Sequence, residues 1–544
     1  MTSAGRASER RVDRTLHCRH LLPLGSLLGL FLISTAAFLA RHPFHWDGAQ
    51  FVLGVQDYSV VLHQPHPPGY PLFIGAAKLI SFFLSPYRSL QLESLLFALA
   101  AVSAVYFLGL EIWKSRLAAW VGAVCLMFNP LFWLYRETGL TYTVDAFAGP
   151  LLALLLLRGW RGRPGLLLWS ALFLGLISGF RPSLSFLLLP LLLGVILANG
   201  SGHLLLKGTS LWLIGLLSWT LPMLSLDGFG PTLQAMSGLF APADASSGVF
   251  SFLRTRWAET GRLAGHLAGS MNLLWLSCAW GFASGRRSLG PSTQRRFLII
   301  AGLWIFPPLL FFSAVHFGQI GYLLILLPLP CLLTAGLFYG GQFRVGSGLA
   351  LATLLISNLV LFSTDLTAYI DPRFRPRSPR DRALAMLGEK TPSLLGLNQR
   401  LLDENDRRMD AFVSCITRFS ADEVIVIGGP NSASVYRTYW PIPIDDVYRN
   451  LAAELPAYRI LVPSGEAQAV FETHQYKTMV HDTPELELPS SVRHLVATVD
   501  AIPAACSPSG IEFQRLDFQG QSCFVAEVDG SFTYCGIRFV VAGY

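Results

Sequence analysis

The sequence predicts a polytopic α-helical membrane protein with about eleven transmembrane helices, followed by a C-terminal soluble α/β domain. Three observations lead to this fold class. Of the 544 residues, 52% are hydrophobic and only 14% are charged, which is more apolar surface than one soluble core buries. The apolar residues form runs near the ~20 residues that span a bilayer. The basic residues lie in short clusters between these runs.

This distribution of charge also excludes one class of partner. The formal net charge is +7, but the lysines and arginines do not line one polar face as they do in proteins that bind nucleic acid. Short clusters between apolar runs instead orient a chain in a membrane. We therefore expect a lipid bilayer as a partner and no nucleic acid.

The first apolar run, 21–39, follows a basic segment, 1–20, that carries five arginines. Cleaved signal peptides share this pattern. The run is long, however, and the residues after it, Ala40-Arg41-His42-Pro43, lack a convincing small-residue cleavage site. We expect an uncleaved first span with a cytoplasmic N-terminus, and cleavage is the alternative.

The predicted spans are counted from this first one. They are 21–39, 89–113, 117–134, 146–157, 164–180, 183–198, 208–225, 263–283, 297–315, 321–338 and 346–363. With the N-terminus inside, the connections rich in lysine and arginine all fall on the cytoplasmic side. An odd number of crossings places the connections 40–88 and 226–262, together with the tail, outside the cytoplasm. The chemistry is expected there.

One further apolar stretch, 71–84, is too short to cross, because roughly 14 residues at 1.5 Å per residue do not reach across ~30 Å. We expect a helix that lies at the membrane interface. Counting it as a span would place the arginine clusters outside.

The composition changes abruptly after Phe362, so residues 364–544 form a predicted extracytoplasmic soluble domain, distinct from the transmembrane module 21–363. A charged helical pattern between Arg380 and Arg418 precedes two β-branched runs, 423–427 and 458–462, which indicates an α/β arrangement. Gly428-Gly429 is a weak phosphate-loop signal. Because Pro430 removes an amide donor, a plain turn is favoured.

Four cysteines lie in this tail, namely Cys415, Cys506, Cys523 and Cys535. An even number in an oxidising compartment predicts one or two disulfides, with the pairing left open. A zinc site is disfavoured because no CxxC or HxxxH spacing accompanies them.

The candidate catalytic residue is Asp47, which follows the first span in HPFHWDGAQF, beside Trp46. A carboxylate next to an aromatic side chain at the lipid boundary is partly desolvated, which makes it a better base. The alternative is an interfacial acid that only faces water.

The same loop continues through Asp57, a candidate substrate-binding residue, to HQPHPPGYPLF, which contains the candidates His63 and His66. Its prolines fix an extended path that holds side chains in place. We expect the two imidazoles to hydrogen-bond a sugar hydroxyl or a phosphate. A divalent metal held with Asp47 or Asp57 is the alternative, disfavoured because the prolines forbid helical ligand spacing. No cofactor is required.

Further candidate substrate-binding residues lie on connections predicted to face the same side. Asp145 begins an apolar span, where an ionisable group is costly and faces a cavity or a partner. Arg181 has a fork of donors suited to a lipid-linked phosphate, with snorkelling to headgroups as the alternative. The remaining candidates are Lys78, Arg136, Glu137, Tyr142, His316, Gln319 and Tyr322. An ordinary polar hairpin is the alternative for Arg136 and Glu137.

These groups suit one reaction, the transfer of a sugar from a polyprenyl phosphate. A carboxylate takes the proton of the acceptor hydroxyl, and cations stabilise the departing phosphate. Asp47 is the expected base, and Arg181, Arg136 and Lys78 are candidates for the phosphate. The leaving group is good, so no nucleotide site is needed.

At several of these motifs the sequence resembles integral-membrane glycosyltransferases of the GT-C superfamily. The likeness is strongest to the branch of protein O-mannosyltransferases and bacterial lipid A aminoarabinose transferases. It lies in the acid after the first span, His66-Pro67-Pro68-Gly69-Tyr70-Pro71-Leu72, Asn129-Pro130 with Tyr142-Thr143, Arg181-Pro182-Ser183 and HFGQIGY at 316–322. The resemblance implies a polyprenyl-phosphate-sugar donor such as an undecaprenyl phosphate sugar. It also implies action outside the cytoplasm at a bacterial inner membrane, with Asp47 as the essential carboxylate.

The chain departs from the protein O-mannosyltransferase pattern of adjacent Asp-Glu, because Gly48 follows Asp47. Mannose and a protein acceptor are therefore not implied, and a glycan, a lipid or a protein remains open as the acceptor. Some relatives use a second acid in a later loop, for which Glu137 and Asp145 are the two candidates here. The tail is similar to the accessory domain that many relatives carry.

Two other functions compete with this one. A lipid or sugar transporter would suit many crossings with buried charge, but transporters show internal repeats, and no two halves of this chain match. A non-catalytic scaffold that presents the tail would leave the acidic, proline-fixed first loop without a purpose.

Overall fold

The structure is a computed structural model that describes most of the chain. The described residues are 22–199, 202–237, 260–261, 263–286, 289–315, 317–341, 344–364, 399–428, 446–464, 469–497, 509–518 and 521–542. The described residues up to 364 form helices joined by turns and loops, and a sheet region follows from Val424. Among the candidate site residues, His316 lies outside the described residues, as do Gly429 and Pro430 of the turn and the helical pattern before 399.

The described N-terminal part consists of α-helices and two 3-10 helices. The α-helices are α1 Leu22–Ala36, α2 His45–Gln56, α3 Pro71–Ile80, α4 Pro86–Trp113, α5 Arg116–Met127, α6 Pro130–Glu137, α7 Tyr142–Trp160, α8 Gly165–Ile177, α9 Leu184–Leu187, α10 Leu189–Ala198, α11 Gly202–Leu226, α12 Phe229–Ser237, α13 263–271, α14 Leu274–Gly285, α15 Pro291–Ala314, α16 Pro328–Thr334 and α17 Val345–Ser363. Two 3-10 helices, Ile320–Ile325 and Ala335–Gly341, flank α16.

Five of the described helices are long and apolar enough to cross a membrane, or six when the bent pair α5 and α6 counts as one span. The five are α4, α7, α11, α15 and α17. On α11, Leu213, Ile214, Leu217 and Leu221 are exposed, and a continuous exposed apolar face on a hydrophobic helix is what contact with lipid requires. The polytopic helical fold is therefore present, while the count of eleven crossings stays a prediction.

Several runs that the sequence predicts as continuous spans are interrupted. The predicted span 117–134 bends by 64° between α5 and α6, because Pro130 lacks an amide donor and Asn129 caps the new helix by accepting from the N–H groups of Leu131 and Phe132. The predicted span 321–338 is divided into 3-10, α and 3-10 segments around Pro328 and Pro330. Proline placement, which hydropathy does not record, explains both corrections.

The short apolar stretch after the first loop forms α3, which is 10 residues long, in agreement with a helix too short to span. The turn after it exposes Phe82 and Phe83, and Leu79 is exposed at the end of the helix. Apolar side chains presented at one end of a short helix suit the interface of a membrane.

The C-terminal part is an α/β layer structure. It contains α18 Gln399–Ile416 and α19 Asp446–Glu454, and the strands β1 Val424–Ile427, β2 Arg459–Ser464, β3 Ala469–His474, β4 Lys477–Asp482, β5 Glu485–Leu488, β6 His494–Ala497, β7 Gln514–Phe518, β8 Gln521–Glu527, β9 Ser531–Tyr534 and β10 Ile537–Val541. A seven-stranded sheet has the order β4-β3-β2-β1-β6-β8-β7, and a three-stranded sheet has the order β5-β10-β9. The two β-branched runs seen in the sequence form β1 and β2, which pair in parallel.

Strand β1 is buried on both faces, as its continuous apolar run indicates. Val424 and Val426 pack under the helices with Phe412, whereas Ile425 and Ile427 pack on the three-stranded sheet. On the helix side, Cys415 of α18 forms a disulfide with Cys523 of β8 across 108 residues of sequence. This bond resolves one of the pairings that the sequence leaves open.

Candidate active site

Asp47 is buried in the first turn of α2, with 4% of the residue exposed. The Nε2 amide of Gln319 donates a hydrogen bond to its Oδ2 over 2.8 Å. His66 places Nδ1 at 3.5 Å from Oδ1, and His45 places Nδ1 at 3.7 Å from Oδ2. The first loop and the 317–322 turn therefore meet at this carboxylate, although 272 residues separate Asp47 from Gln319.

The Nδ1 atoms of His45 and His66 have opposite hydrogen-bonding roles, acceptor in His45 and donor in His66. Burial lowers the pKa of His45 by more than the neighbouring Asp47 raises it, so this ring is neutral near pH 7. Its Nδ1 accepts the backbone N–H of Asp47 at 3.3 Å. A histidine at this position, with φ of 67°, fixes the start of the helix that carries the acid.

His66 is held by a network of its own. The amide oxygen of Gln50 lies 2.8 Å from Nδ1 and also accepts the backbone N–H of His66 at 3.2 Å. An amide oxygen only accepts, so Nδ1 carries a proton, and in the neutral ring Nε2 accepts from the Tyr70 hydroxyl at 3.1 Å. Burial raises the pKa of Tyr70, which keeps this hydroxyl a donor. The ring also stacks on Phe51.

The loop that carries His66 depends on one glycine. Gly69 has φ of +97°, and a Cβ there would lie 2.7 Å from the Tyr58 hydroxyl and 2.8 Å from Val60 Cγ2. Contacts this close do not occur in folded proteins, and a positive φ is a conformation that glycine adopts without strain. The HPPGYP motif therefore needs glycine at this position to bring Tyr70 to His66.

Arg181 is buried beside a carboxylate and two aromatic rings. Its Nε lies 2.6 Å from Asp145 Oδ2, and Nη1 donates to Thr141 Oγ1 at 2.7 Å. The guanidinium carbon stands 4.3 Å from the ring centre of Tyr142 and 5.3 Å from that of Tyr322. Arg181 does not snorkel into headgroups in this structure, because Asp145 holds it over the rings.

Asp47 and Arg181 border the same group of tyrosines. Tyr142 packs on Tyr135 with ring centres 4.7 Å apart and on Tyr322 at 6.0 Å. Each of Tyr70, Tyr135, Tyr142 and Tyr322 lies within electrostatic range of both Asp47 and Arg181. We call these four residues the tyrosine cluster. A carboxylate and a guanidinium are thus brought to one buried polar region.

Arg136 and Glu137 form a separate pair. Both side chains are 0% exposed, and Arg136 Nε donates to Glu137 Oε1 at 3.0 Å. Arg136 also donates to Ser34 Oγ at 2.9 Å and lies 5.0 Å from the ring centre of Phe31 on α1. The pair joins α6 to the first helix, and it is not a solvated hairpin.

Breaking this pair should destabilise the protein. Glu137→Leu leaves the guanidinium buried without its carboxylate, and we expect a loss of about 3–5 kcal/mol in the free energy of unfolding. The double change Arg136→Met with Glu137→Leu should recover most of this loss. Thermal unfolding of the detergent-purified variants measures both.

The control for this experiment is an exposed ion pair. Arg515 and Asp517 are 63% and 65% exposed at the side chain, and Asp517→Leu should change stability by less than ~1 kcal/mol. Equal effects of Glu137→Leu and Asp517→Leu would contradict the structural role of the buried pair.

Two of the other candidates, Asp57 and Lys78, lie apart from Asp47. Asp57 follows the last residue of α2, so roughly 15 Å of helix separates it from Asp47, and Lys78 donates to Gln56 O nearby at 3.4 Å. His63 is buried in the turn 59–64, where its backbone N–H donates to Val60 O. The structure thus brings Asp47, His66, Tyr142, Asp145, Arg181, Gln319 and Tyr322 together.

Sequence analysis missed Gln50, Tyr70, Tyr135 and Thr141 as members of this region. Gln50 was detectable, because it follows Asp47 by three residues and a helix places such residues on one face. Tyr70 stands inside the proline-rich motif. Tyr135 and Thr141 carry no local signal, since only the bend between α5 and α6 brings their segment here. Among the described residues, no group of three or more His, Cys, Asp or Glu side chains is arranged to hold a metal ion.

Comparison with known proteins gives likeness in structure and none in sequence. No protein-family model and no curated protein matches the sequence. The chain is similar to the crystal structure of ArnT, an aminoarabinose transferase, from Cupriavidus metallidurans bound to undecaprenyl phosphate. The identity is 13%, the TM-score is 0.54, and the match covers 93% of this chain and 97% of that one.

The same enzyme in the apo state matches with a TM-score of 0.55 at 13% identity, over 94% of this chain and 98% of that chain. The expected resemblance to GT-C glycosyltransferases is confirmed at the level of the fold. The similarity extends over the helical part and the sheet region together, because it covers nearly the whole of both chains.

Proposed function

We propose that this protein transfers a sugar from a polyprenyl-phosphate-linked donor to an acceptor hydroxyl on the extracytoplasmic side of a membrane, with Asp47 as the general base. One observation carries the proposal. Asp47 and Arg181 are both buried, and the turn 319–322 connects them. Gln319 hydrogen-bonds Asp47, and the ring centre of Tyr322 lies 5.3 Å from the Arg181 guanidinium carbon. A base for the incoming hydroxyl and a cation for the outgoing phosphate are the two charges that this reaction needs.

The surroundings of Asp47 suit a base. Gln319 fixes one carboxylate oxygen by a hydrogen bond of 2.8 Å, which leaves the other oxygen, near His66, to take the proton of the acceptor hydroxyl. Gln50 and Tyr70 hold His66 in turn. Fixed neighbours keep the carboxylate in one orientation, so little reorganisation is needed when the bond forms.

Arg181 supplies the charge for the leaving group. Its contacts to Asp145 and Thr141 fix the plane of the guanidinium, and the remaining N–H groups of a fixed fork suit the oxygens of a phosphate. The tyrosine cluster lowers the local polarity, which strengthens such a contact. ArnT, similar in fold, was crystallised with undecaprenyl phosphate, and this supports a polyprenyl phosphate as the carrier here.

The proposed orientation places the site outside the cytoplasm. Glu111 binds Lys114, Arg158 and Arg161 near the far ends of α4 and α7, roughly 20 Å along α7 from Asp145. Basic residues mark the cytoplasmic side.

We propose eleven crossings at an inner membrane, a cytoplasmic segment 1–20, a catalytic module 21–363 and an extracytoplasmic domain 364–544. The Cys415–Cys523 disulfide supports an oxidising location for that domain.

A transfer assay tests the function. The purified full-length protein, reconstituted in lipid, is incubated with a panel of polyprenyl-phosphate sugars and with glycan, lipid and peptide acceptors. Release of free polyprenyl phosphate together with a product heavier by one sugar supports the proposal and identifies the acceptor class. Movement of the intact donor across the bilayer, with no cleavage in the presence of any acceptor, would instead favour a flippase.

A reporter fused after Phe362 should lie outside the cytoplasm. Alkaline phosphatase, which folds only outside, is expected to be active in this fusion. A fusion in the connection after Arg161 is the control and should be inactive, because that connection is basic. Activity of the second fusion and not of the first would overturn the orientation and with it the side on which Asp47 acts.

A further inference from the structure

The helix that carries Asp47 is shared between the membrane part and the C-terminal part. Phe51 and Val52 of α2 belong to the core of the membrane part, whereas Leu53 belongs to the core of the tail, with Phe412 and Leu451. Helix α2 packs along α19 of the tail. A helix enclosed on both sides has its position set by both parts.

The entry to this helix is held by Asp406 of α18. Its two carboxylate oxygens accept the consecutive backbone N–H groups of Arg41, at 2.8 Å, and His42, at 3.0 Å. The Asp406 side chain is 6% exposed, and its neighbour Asn405 donates to Pro43 O at 3.4 Å. Phe44, the N-cap residue of α2, makes no side-chain cap hydrogen bond. Asp406 therefore anchors the backbone before the helix, whereas His45 Nδ1 accepts an N–H inside its first turn.

The side chains of the same segment are held as well. The His42 ring lies between Asp410 Oδ1, 2.9 Å from Nε2, and Glu454 Oε1, 3.3 Å from Nδ1, and Arg41 Nη1 lies 2.8 Å from Asp410 Oδ2. Burial lowers the pKa of His42, but Glu454 and Asp410 raise it by more, so the pKa lies above its ordinary value of 6.5. The protonated ring therefore strengthens the contact at low pH, and this contribution is lost as the pH rises through the raised pKa.

A further hydrogen bond joins the tail to the proline-rich loop. Gln64 Nε2 donates to Tyr476 O, between β3 and β4, at 2.6 Å. Two residues later in the loop, His66 approaches Asp47. The tail thus contacts the first loop before Asp47 and beside His66, on both sides of the candidate base.

We propose that the C-terminal domain positions the catalytic base, and that Asp406 is the positioning residue through which it does so. This inference rests on the proposed function. Only four residues lie between His42 and Asp47, so a shift of the anchored segment moves the start of α2. A displacement near 1 Å at a reacting group costs up to ~10²-fold in rate.

The test compares variants of the purified full-length protein in the transfer assay. Asp406→Ala should lower kcat by roughly 10–100-fold and change KM for the lipid donor by less than about twofold, because the base moves while the donor site remains. Asp406→Asn keeps one acceptor oxygen and should recover part of kcat. Asp403→Ala is the matched control, since Asp403 is exposed on the same helix and binds Gln399. It should behave as the unchanged protein.

Hydrogen exchange gives a readout that does not depend on activity. The amides of Arg41 and His42 should exchange faster in Asp406→Ala than in Asp403→Ala. Equal kcat and equal exchange in these two variants would overturn the inference while leaving the proposed function intact. If the wild-type protein transfers no sugar, the proposed function is wrong. The hydrogen-exchange rates would still test whether Asp406 holds the backbone of Arg41 and His42.

If Asp406→Ala does not fold, Asp410→Asn provides the second test. Asp410 is partly exposed and contacts Arg41 and His42 only through side chains, so the change is milder. A fall in kcat of roughly 3–10-fold at unchanged KM supports the inference, and an unchanged kcat contradicts it.

Discussion

Asp47→Asn is expected to lower kcat for sugar transfer by about 10²–10⁴-fold, which is the range that general base catalysis contributes. The amide has the shape of the carboxylate and can accept the Gln319 hydrogen bond, so the fold of the loop should persist. It cannot take a proton from the acceptor hydroxyl. Initial rates of polyprenyl phosphate release, measured at saturating donor on protein that elutes normally in gel filtration, provide the measurement.

The chain offers a matched control for this substitution. Asp57→Asn makes the same chemical change at the other end of α2, where the residue is half-exposed, and should leave kcat within about twofold, because roughly 15 Å of helix separates the two acids. If Asp47→Asn retains full activity, Asp47 is not the base. Equal losses in both variants would mean that the change acts through the stability of α2.

Arg181→Gln is expected to lower kcat by about 10²–10³-fold, the effect of removing one donor to a developing negative charge. Because the change leaves Asp145 buried without its partner, it should be made together with Asp145→Asn, which removes the unpaired charge. Arg181→Lys keeps the charge but loses the planar fork and the stacking on Tyr142. Its kcat should therefore lie between that of the wild-type protein and that of the double variant. The same rate assay measures all of these variants.

Arg158→Gln is the control for the arginine series. Arg158 pairs with Glu111 at 3.2 Å at the opposite end of α7, and its removal should leave kcat nearly unchanged. Normal transfer by the Arg181→Gln and Asp145→Asn double variant would show that the phosphate is stabilised elsewhere. Loss of activity in Arg158→Gln to the same degree would show that the arginine effects are not local to the site.

The positions of most helices could be predicted from apolar runs, because the ~30 Å thickness of the bilayer fixes the length of a span. The ends of α17 and the short length of α3 follow from this rule. The break at Asn129 and the 3-10 segments around Pro328 could not be predicted from hydropathy. These breaks depend on where a proline removes a backbone N–H donor and on which side chain makes a replacement hydrogen bond. Hydropathy does not detect them, because the apolar content is the same on both sides of the break.

The candidate site likewise contains residues that the sequence identifies and contacts that it does not predict. Asp47, His66 and Arg181 were identifiable because each stands at a special place in its motif, and Asp145 because it begins an apolar span. Gln319 was also a candidate, but its pairing with Asp47 could not be predicted, since 272 residues of sequence separate the two. Arg136 and Glu137 carry charges that suggested substrate contact, yet they pair with each other, because adjacent opposite charges in a buried helix turn satisfy each other at least cost.

The sheet region shows one further limit of sequence reasoning. The runs that became β1 and β2 predict strands, but nothing in them predicts that Asp406 and Asp410, one helical turn apart, face a segment 365 residues earlier. Acidic residues on an amphipathic helix are ordinarily solvated. The contacts of Asp406 and Asp410 with the first loop are therefore recognised only in the three-dimensional structure.

The Cys415–Cys523 bond has a consequence for the maturation of the protein. It ties the helix that bears Asp406 to a strand 108 residues further along the sequence. If the tail lies outside the cytoplasm as proposed, this helix is covalently secured only after Cys523 has been exported and oxidised. Truncated chains that lack Cys523 would insert their membrane helices but could not form this disulfide. In the proposed orientation, full catalytic competence would then require export of Cys523 and oxidation of the two thiols.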